Sequence, residues 1–212
     1  MKSFAEMIEG YRRFRGGDWR RQHGRWEQLK EGQSPQVMVI ACSDSRVDPT
    51  QIFDVDPGEI FVVRNVAALV PPFETTPGRH GVSAALEFAV QFLKIRELVV
   101  LGHGMCGGCQ AALTQGMHGR EVGDGGFVAR WIDMLDSVRE PIAANLGTTG
   151  RAAELAMEQA AVKVSLANLR TFPYVSEKEA KGALKLHGAY FAISDGILHI
   201  LNEADGKFHP TE

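Results

Sequence analysis

The chain has 212 residues, of which 44% are hydrophobic and 23% are charged, and its formal net charge is −3. This composition is typical of one well-buried globular domain and excludes a disordered or collagen-like chain. Because the charge is small and Lys and Arg are spread along the chain, we expect no nucleic-acid partner and favour a small neutral or anionic ligand.

Cysteine content and hydropathy indicate the compartment. Three cysteines, an odd count, predict free or metal-bound thiols and argue against a disulfide framework. The first residues lack the charged-then-apolar pattern of a signal segment, so we expect a cytoplasmic protein. No stretch reaches the ~18 apolar residues that a membrane span needs, and we expect no association with a membrane.

The first 34 residues predict a helical arm. Helical spacing covers about 4–15 and again about 19–30, with Gly16-Gly17 between them and Asp18 in the N-cap position. The arm carries many large apolar side chains but has no evident core of its own. These side chains are Phe4, Met7, Ile8, Tyr11, Phe14, Trp19 and Trp26. We therefore expect the arm to pack on another surface, such as a second subunit.

The next part of the chain predicts parallel strands. Runs rich in β-branched residues occupy 36–43, 58–69 and 96–104, and such continuous apolarity is typical of strands covered on both faces. Residues 81–94 place apolar side chains at helical spacing between the second and third runs. This order predicts a strand–helix–strand unit.

The second half of the chain predicts helices. One begins near Cys106, a second covers about 127–140, and a long one covers about 150–171 and ends near Pro173. The spacing of apolar residues carries these predictions.

The C-terminal part predicts a hairpin. Strands at 184–194 and 196–203 are joined by Asp195-Gly196, a dipeptide that favours tight hairpin turns. The whole pattern predicts one α/β domain over 1–212, with the arm over 1–34. We expect a mostly parallel sheet with antiparallel C-terminal strands and flanking helices.

Reactive side chains follow two of the predicted strands. Cys42, Asp44 and Arg46 come after the first strand, and His103 and Cys106 come after the third. The carboxyl ends of parallel strands meet at one sheet edge, where open α/β proteins bind their ligands. Cys, His and carboxylate are the usual zinc ligands, and the His-x2-Cys spacing allows both residues to bind one ion across a strand-to-helix turn. The sequence therefore predicts a metal site.

Two alternative sites compete with this interpretation. Cys106-x2-Cys109 is also the spacing of a redox pair or a zinc knuckle. A redox pair leaves Cys42 and His103 unexplained, so we expect Cys109 to be a small core residue one turn into a helix. A phosphatase loop needs the longer spacing C-x5-R, and Cys42-x3-Arg46 falls short of it.

The chain resembles the β-class carbonic anhydrases in three segments, CSDSRVDPTQIFDVDPGEIFVVRNVAALVPP, HGVSAALEFAVQFL and VVLGHGMCGGCQA. The resemblance runs from about 36 to 116 and extends more loosely through LHGAYFAISDGIL. It implies zinc held by Cys42, His103 and Cys106, with Asp44 and Arg46 as a hydrogen-bonded catalytic pair.

The resemblance implies reversible hydration of carbon dioxide, in which hydroxide on the zinc attacks the substrate and Asp44 with Arg46 orients it. The backbone N–H of Gly107 would bind the developing negative oxygen of bicarbonate. If the pair breaks, Asp44 would become a fourth zinc ligand and close the site. Two alternatives stay open: hydrolysis of carbonyl sulfide or carbon disulfide on the same zinc, and a non-catalytic zinc-stabilised sensor or interaction protein.

The resemblance also implies self-association, as a dimer or a tetramer. Family members whose site closes at low pH typically carry a bicarbonate effector pocket of Trp, Arg and Tyr. Arg64 matches that pattern, whereas Val39 and Phe191 stand where the Trp and the Tyr would be. We therefore expect no bicarbonate effector pocket in this chain.

Overall fold

A computed structural model describes residues 2–117 and 126–211. The chain divides into two compact units, Met1–Ser34 and Pro35–Glu212. The boundary between the units coincides with the end of the predicted arm. In the described ranges, no helix combines the length and the apolarity that crossing a membrane requires.

The first unit is helical. Its helices are α1 (Phe4–Gly16), α2 (Asp18–Arg21) and α3 (His23–Leu29). The start of α1 is fixed by a reciprocal capping box, in which the Ser3 hydroxyl accepts from the Glu6 N–H and the Glu6 carboxylate accepts from the Ser3 N–H. This arrangement satisfies two backbone donors that a helix start would otherwise leave without partners.

The prediction of a single helix over 19–30 was wrong in two respects. The helix is interrupted at Gln22, which separates α2 from α3. Asp18 is the first residue of α2, and the cap is Gly17. The large apolar side chains noted in the sequence form an apolar stripe along one side of α1, where Phe4, Met7 and Tyr11 are all more than half exposed.

The second unit is built on a sheet whose order in the described residues is β2-β1-β3-β4-β5-β6. The strands β1 to β4 pair in parallel, and β5 and β6 add antiparallel partners. This confirms the predicted fold class. The bounds are β1 (Val37–Cys42), β2 (Ile60–Asn65), β3 (Glu97–His103), β4 (Lys185–Ala192), β5 (Ile197–Asn202) and β6 (Lys207–Pro210).

Helices surround this sheet. They are α4 (Pro49–Ile52), α5 (Gly81–Glu87), α6 (Gly107–Thr114), α7 (Phe127–Ile132), α8 (Asp136–Leu146), α9 (Arg151–Leu169) and α10 (Pro173–Ala180). A π-helical segment, Phe88–Leu93, continues α5, and a 3-10 turn, Asp133–Leu135, joins α7 to α8. The helices α5, α6 and α9 confirm predicted helices within a few residues.

Several elements differ from the sequence prediction. The predicted helix over 127–140 is two helices, since the 3-10 turn separates α7 from α8 and the second helix continues to Leu146. The short elements α4, α10 and β6 were not predicted. The long helix predicted to end near Pro173 is α9, which ends at Leu169. Pro173 is the first residue of α10, a position where proline costs no backbone hydrogen bond.

The burial of the central strand β1 accounts for the continuous run of apolar residues in the first predicted strand. Met38 and Ile40 pack into one buried cluster, while Val39 and Ala41 belong to another, and all four side chains are at most 1% exposed. Both faces of β1 are therefore covered. Because β2 and β3 flank β1 on opposite sides, the chain changes direction there, and such switch points form crevices at the carboxyl ends of the strands.

Candidate metal centre

Three buried side chains converge at this switch point. Cys42 is the last residue of β1, His103 is the last residue of β3, and Cys106 is the N-cap of α6. The two strands are neighbours, with Ala41 opposite Leu101. The sulfur atoms of the two cysteines and a ring nitrogen of His103 all lie within 4.8 Å of one another. The structure thus brings together the three predicted metal ligands.

The imidazole of His103 is oriented by the backbone. Its Nδ1 lies 2.8 Å from the carbonyl oxygen of Gly104, which can only accept, so Nδ1 carries the proton. The other nitrogen, Nε2, is buried and has no hydrogen-bond partner among the residues that the structure describes. Buried polar atoms are nearly always paired. A lone pair left in this way beside two sulfur atoms is the arrangement expected of a metal ligand whose other nitrogen is fixed by a carbonyl.

The two thiols have raised pKa values. The hydrogen bond with Cys106, followed by burial, raises the pKa of the Cys42 thiol to about 12. The hydrogen bond with Cys109, together with burial, raises the pKa of Cys106 to about 12. Both thiols are therefore protonated at neutral pH without a metal, and a cation must displace their protons. Two sulfurs and one imidazole are a donor set that fits zinc and leaves a fourth position for water.

Cys109 lies one turn into α6 and is buried, as expected of a core residue. It packs in an apolar cluster with Leu113 and Ile132. The group of potential ligands formed by the described residues consists of Cys42, His103 and Cys106 and leaves Cys109 out.

Asp44 and Arg46 form a tight pair beside this centre. Oδ1 of Asp44 accepts from the backbone N–H and from Nε of Arg46, each at 2.9 Å. Oδ2 accepts from Nη2 at 2.7 Å. These hydrogen bonds hold the pKa of Asp44 well below its usual range. Asp44 is therefore an ionised acceptor throughout the neutral range.

Arg46 also connects two loops. Its Nη2 donates to the carbonyl oxygen of Met105 at 2.9 Å, so the loop after β1 is joined to the loop after β3. Met105 has a φ of 56°, a left-handed conformation that is uncommon for a side chain of this type. The backbone between His103 and Cys106 is thus held in an unusual turn with its carbonyl directed at Arg46.

Arg64 has a structural role that the sequence did not predict. It donates through Nε to the carbonyl oxygen of Cys42 at 2.9 Å and through Nη2 to that of Asp44 at 2.7 Å. Its Nη1 contacts Asp48 at 3.0 Å. The signal in the sequence was an arginine inside a largely apolar strand, where a partly buried charge requires partners. Arg64 therefore fixes the backbone of the loop that carries Cys42 and Asp44.

The two residues that stand in the predicted effector positions lie in apolar surroundings. Val39 is buried in the sheet, and Phe191 packs against the same cluster. The absence of a bicarbonate effector pocket stays a prediction.

The glycines at the start of α6 differ in their surroundings. Gly107 is the first residue of the helix, and a Cβ there would meet no atom within 4 Å. Its N–H has no acceptor within the helix, as for all first-turn donors. A Cβ on Gly108, by contrast, would lie 2.8 Å from Cγ1 of Val66 and 3.0 Å from Cβ of Ala67. Glycine at 108 allows α6 to pack closely on this segment.

Fold and site together define an α/β protein with a buried Cys-His-Cys cluster at the edge of its sheet, a donor set that fits zinc. The carbonic anhydrase family model matches residues 37–198, and the chain belongs to the β-carbonic anhydrase family, as the resemblance implied. Zinc is the cofactor of this family, and the Cys-His-Cys cluster fits it.

Known proteins agree with this assignment. Beta carbonic anhydrase 5, chloroplastic, of Arabidopsis thaliana is 34% identical over 196 residues, which are 91% of this chain and 62% of that protein. The chain thus spans less than two thirds of that relative. The structure of the beta-carbonic anhydrase CcaA has a TM-score of 0.89 at 29% identity, covering 99% of this chain and 92% of that one. A tetrameric beta-carbonic anhydrase of Sordaria macrospora has a TM-score of 0.81 at 30% identity, covering 94% and 96%.

Proposed function

We propose that this chain catalyses the reversible hydration of carbon dioxide to bicarbonate and a proton, with zinc held by Cys42, His103 and Cys106. The observation that carries the proposal is the buried imidazole of His103, whose Nε2 has no partner among the described residues and which brings a ring nitrogen within 4.8 Å of both sulfurs. Membership of the β-carbonic anhydrase family supports the same reaction.

Zinc, when bound, supplies a Lewis acid that makes water a stronger acid and hence a nucleophile at neutral pH. Asp44 supplies an ionised acceptor for the hydrogen atom of that nucleophile. Its Oδ1 already accepts two hydrogen bonds from Arg46, whereas Oδ2 accepts one and keeps a lone pair for the nucleophile. Arg46 therefore determines which oxygen of Asp44 is used and in which direction it points.

Gly107 supplies the complementary donor. Carbon dioxide gains negative charge on an oxygen as it becomes bicarbonate, and an N–H at the start of a helix stabilises such charge. Because Gly107 is exposed and follows Cys106 directly, its N–H is available beside the metal ligands. The two groups thus have complementary roles. Asp44 accepts a hydrogen bond from the nucleophile, and the N–H of Gly107 donates one to the substrate oxygen that becomes negative.

The Asp44–Arg46 pair favours an enzyme over a zinc-stabilised sensor. A carboxylate held by three hydrogen bonds from Arg46 is kept from serving as a fourth metal ligand, and a zinc site with three protein ligands retains a position for water. If the pair is broken, Asp44 is free to become the fourth ligand and to close the site.

We also propose that the chain self-associates, as a dimer or tetramer, and that it acts in the cytoplasm. The tetrameric relative of Sordaria macrospora and the exposed apolar stripe on α1 support self-association. Three free cysteines fit a reducing compartment. Sedimentation of the purified chain tests the first proposal, and fractionation of cells that express it tests the second.

The deciding experiment is stopped-flow hydration of carbon dioxide on protein whose zinc per chain has been counted. We expect activity that is lost on chelation, returns with zinc, and collapses when the Asp44–Arg46 pair is removed. Carbonyl sulfide and carbon disulfide serve as comparison substrates. Zinc-loaded protein that is inactive towards carbon dioxide between about pH 6.5 and about pH 9 would refute the proposal.

A further inference from the structure

A buried carboxylate that the proposed reaction does not use lies directly behind the metal loop. Glu158, on α9, is only 2% exposed. Its Oε1 accepts from the backbone N–H of Cys106 at 3.3 Å, so it contacts the backbone of a metal ligand. Glutamate is almost never fully buried without a charged or hydrogen-bonding partner.

Glu158 has such partners on two elements. Arg151, in the first turn of α9, donates through Nη1 to Oε1 at 3.0 Å and through Nη2 to Oε2 at 2.9 Å. The hydroxyl of Tyr190, on β4, donates to Oε2 at 2.8 Å and accepts from Nη2 of Arg151 at 2.6 Å. The bidentate ion pair balances the buried charge. The carboxylate is thus fixed relative to both the helix and the sheet.

The metal loop touches this network at a second point. A Cβ on Gly104 would lie 3.0 Å from the Tyr190 hydroxyl and 3.5 Å from Nη2 of Arg151, so the loop approaches the network as closely as a glycine allows. Gly104 donates to the carbonyl oxygen of Phe191 at 2.9 Å, and its own carbonyl orients His103. The backbone around both ligands of the loop therefore rests on the same network.

We propose that Glu158, held by Arg151 and Tyr190, is a positioning residue for the metal ligands. Its carboxylate fixes the Cys106 backbone so that the sulfur and the imidazole face one another before the metal arrives. The inference rests on the proposed function only in that Cys42, His103 and Cys106 hold the zinc. A preformed loop loses little conformational freedom on binding, so it retains zinc longer than a loop that the metal itself must order.

The test is the rate at which zinc passes to a coloured chelator in excess. Glu158→Gln keeps the size of the side chain, removes its charge, and replaces one acceptor oxygen by a donor. We expect zinc release to be about 10- to 100-fold faster, as for other residues that orient metal ligands. Glu154→Gln is the matched control, since Glu154 lies on the same helix with Oε2 3.8 Å from Nη1 of Arg151. We expect its release rate to stay at the wild-type value.

Two further readouts separate positioning from general stability. The rise in melting temperature that zinc produces should shrink in Glu158→Gln, and the visible spectrum of the cobalt-loaded variant should change, because both depend on ligand geometry. Equal losses of melting temperature with and without zinc, at an unchanged release rate, would overturn the proposal. If Glu158→Gln does not fold, Tyr190→Phe is measured instead. We expect it to release zinc faster than the wild type, but by a smaller factor than Glu158→Gln. A wild-type release rate in Tyr190→Phe would overturn the proposal. Wild-type protein that binds no zinc would instead refute the proposed function itself.

Discussion

Arg46 donates to the carbonyl oxygen of Met105 across 2.9 Å, and this contact joins the loop after β1 to the loop after β3. The same Nη2 atom donates to Oδ2 of Asp44 at 2.7 Å. One planar guanidinium therefore sets the position of the carboxylate relative to the loop that carries His103 and Cys106. A compact ammonium group cannot reproduce this fork of donors.

Arg46→Lys tests this connection. The lysine keeps the charge, but its single nitrogen cannot replace the two side-chain nitrogens that donate to Asp44 and Met105. We therefore expect kcat/KM to fall about 10- to 100-fold with zinc content unchanged. Stopped-flow hydration of carbon dioxide measures the loss. Arg12→Lys, on an exposed face of α1, controls for the exchange itself. Wild-type activity in Arg46→Lys would show that the fork is dispensable.

Asp44→Asn tests the acceptor. Asparagine has the same shape, but it loses the charge that Arg46 holds and offers a donor where Oδ1 or Oδ2 accepts. We expect kcat to fall about 100-fold or more, in the range found for general acid–base groups, while one zinc per chain remains. Asp195→Asn is the control, because Asp195 accepts from the N–H of Ile197 in the β4–β5 turn, and asparagine can do the same. Activity within about threefold of wild type would exclude this role for Asp44.

The sequence predicted the elements and residues that depend on local pattern or on strand order. The apolar runs located β1 and β3, and the rule that parallel strands end at one edge brought Cys42 to His103. The break at Gln22 depends on no glycine or proline, so the pattern contained no signal for it. Elements as short as β6 are equally hard to recognise.

Supporting contacts at the site were less predictable. Glu158 stands in a helix that also carries charged residues at 154 and 163, and nothing in that spacing separates a buried glutamate from a solvated one. Only the packing of α9 against the metal loop and β4 shows that it is buried. The same holds for the carbonyl oxygen of Met105, which no side-chain pattern can reveal.

The assignment of Cys106, and not Cys109, as a ligand predicts two different outcomes for similar substitutions. Cys106→Ala removes a sulfur within 4.8 Å of the other two ligand atoms, so we expect loss of stoichiometric zinc. Cys109→Ala shortens a buried side chain in an apolar cluster, so we expect full zinc content and a modest fall in melting temperature. Metal analysis after exhaustive dialysis decides. Zinc lost from Cys109→Ala with the fold intact would make Cys109 a ligand.

Zinc affinity should depend steeply on pH. A hydrogen bond with Cys106 raises the pKa of the Cys42 thiol to about 12, and a hydrogen bond with Cys109 raises the pKa of the Cys106 thiol to about 12, with burial adding to both. Each thiol therefore gives up its proton when zinc binds. A raised pKa favours the protonated, metal-free form, so affinity must fall as the pH falls. We expect about two protons released per zinc at about pH 8, and an apparent affinity that changes about 100-fold per pH unit there.

Calorimetric titration in buffers of different ionisation enthalpy counts these protons. Release of fewer than one proton would mean that the thiols are already ionised in the free protein, contrary to the raised pKa values.

The apolar stripe of α1 predicts the assembly. Met7 and Tyr11 are one helical turn apart and exposed, and a contiguous apolar surface of this kind is typical of a contact with another protein. We expect Met7→Glu with Tyr11→Glu to shift the chain to a smaller species in sedimentation velocity, since burying two new charges opposes association. Glu9→Gln with Arg13→Gln, on the opposite side of the same helix, should leave the assembly unchanged.

Deletion of residues 1–30 should also shift the chain to a smaller species, as expected for Met7→Glu with Tyr11→Glu. A truncated chain that keeps the wild-type assembly and activity would show that the arm is not the associating surface, and the contact between subunits would then have to lie on the unit that carries the sheet.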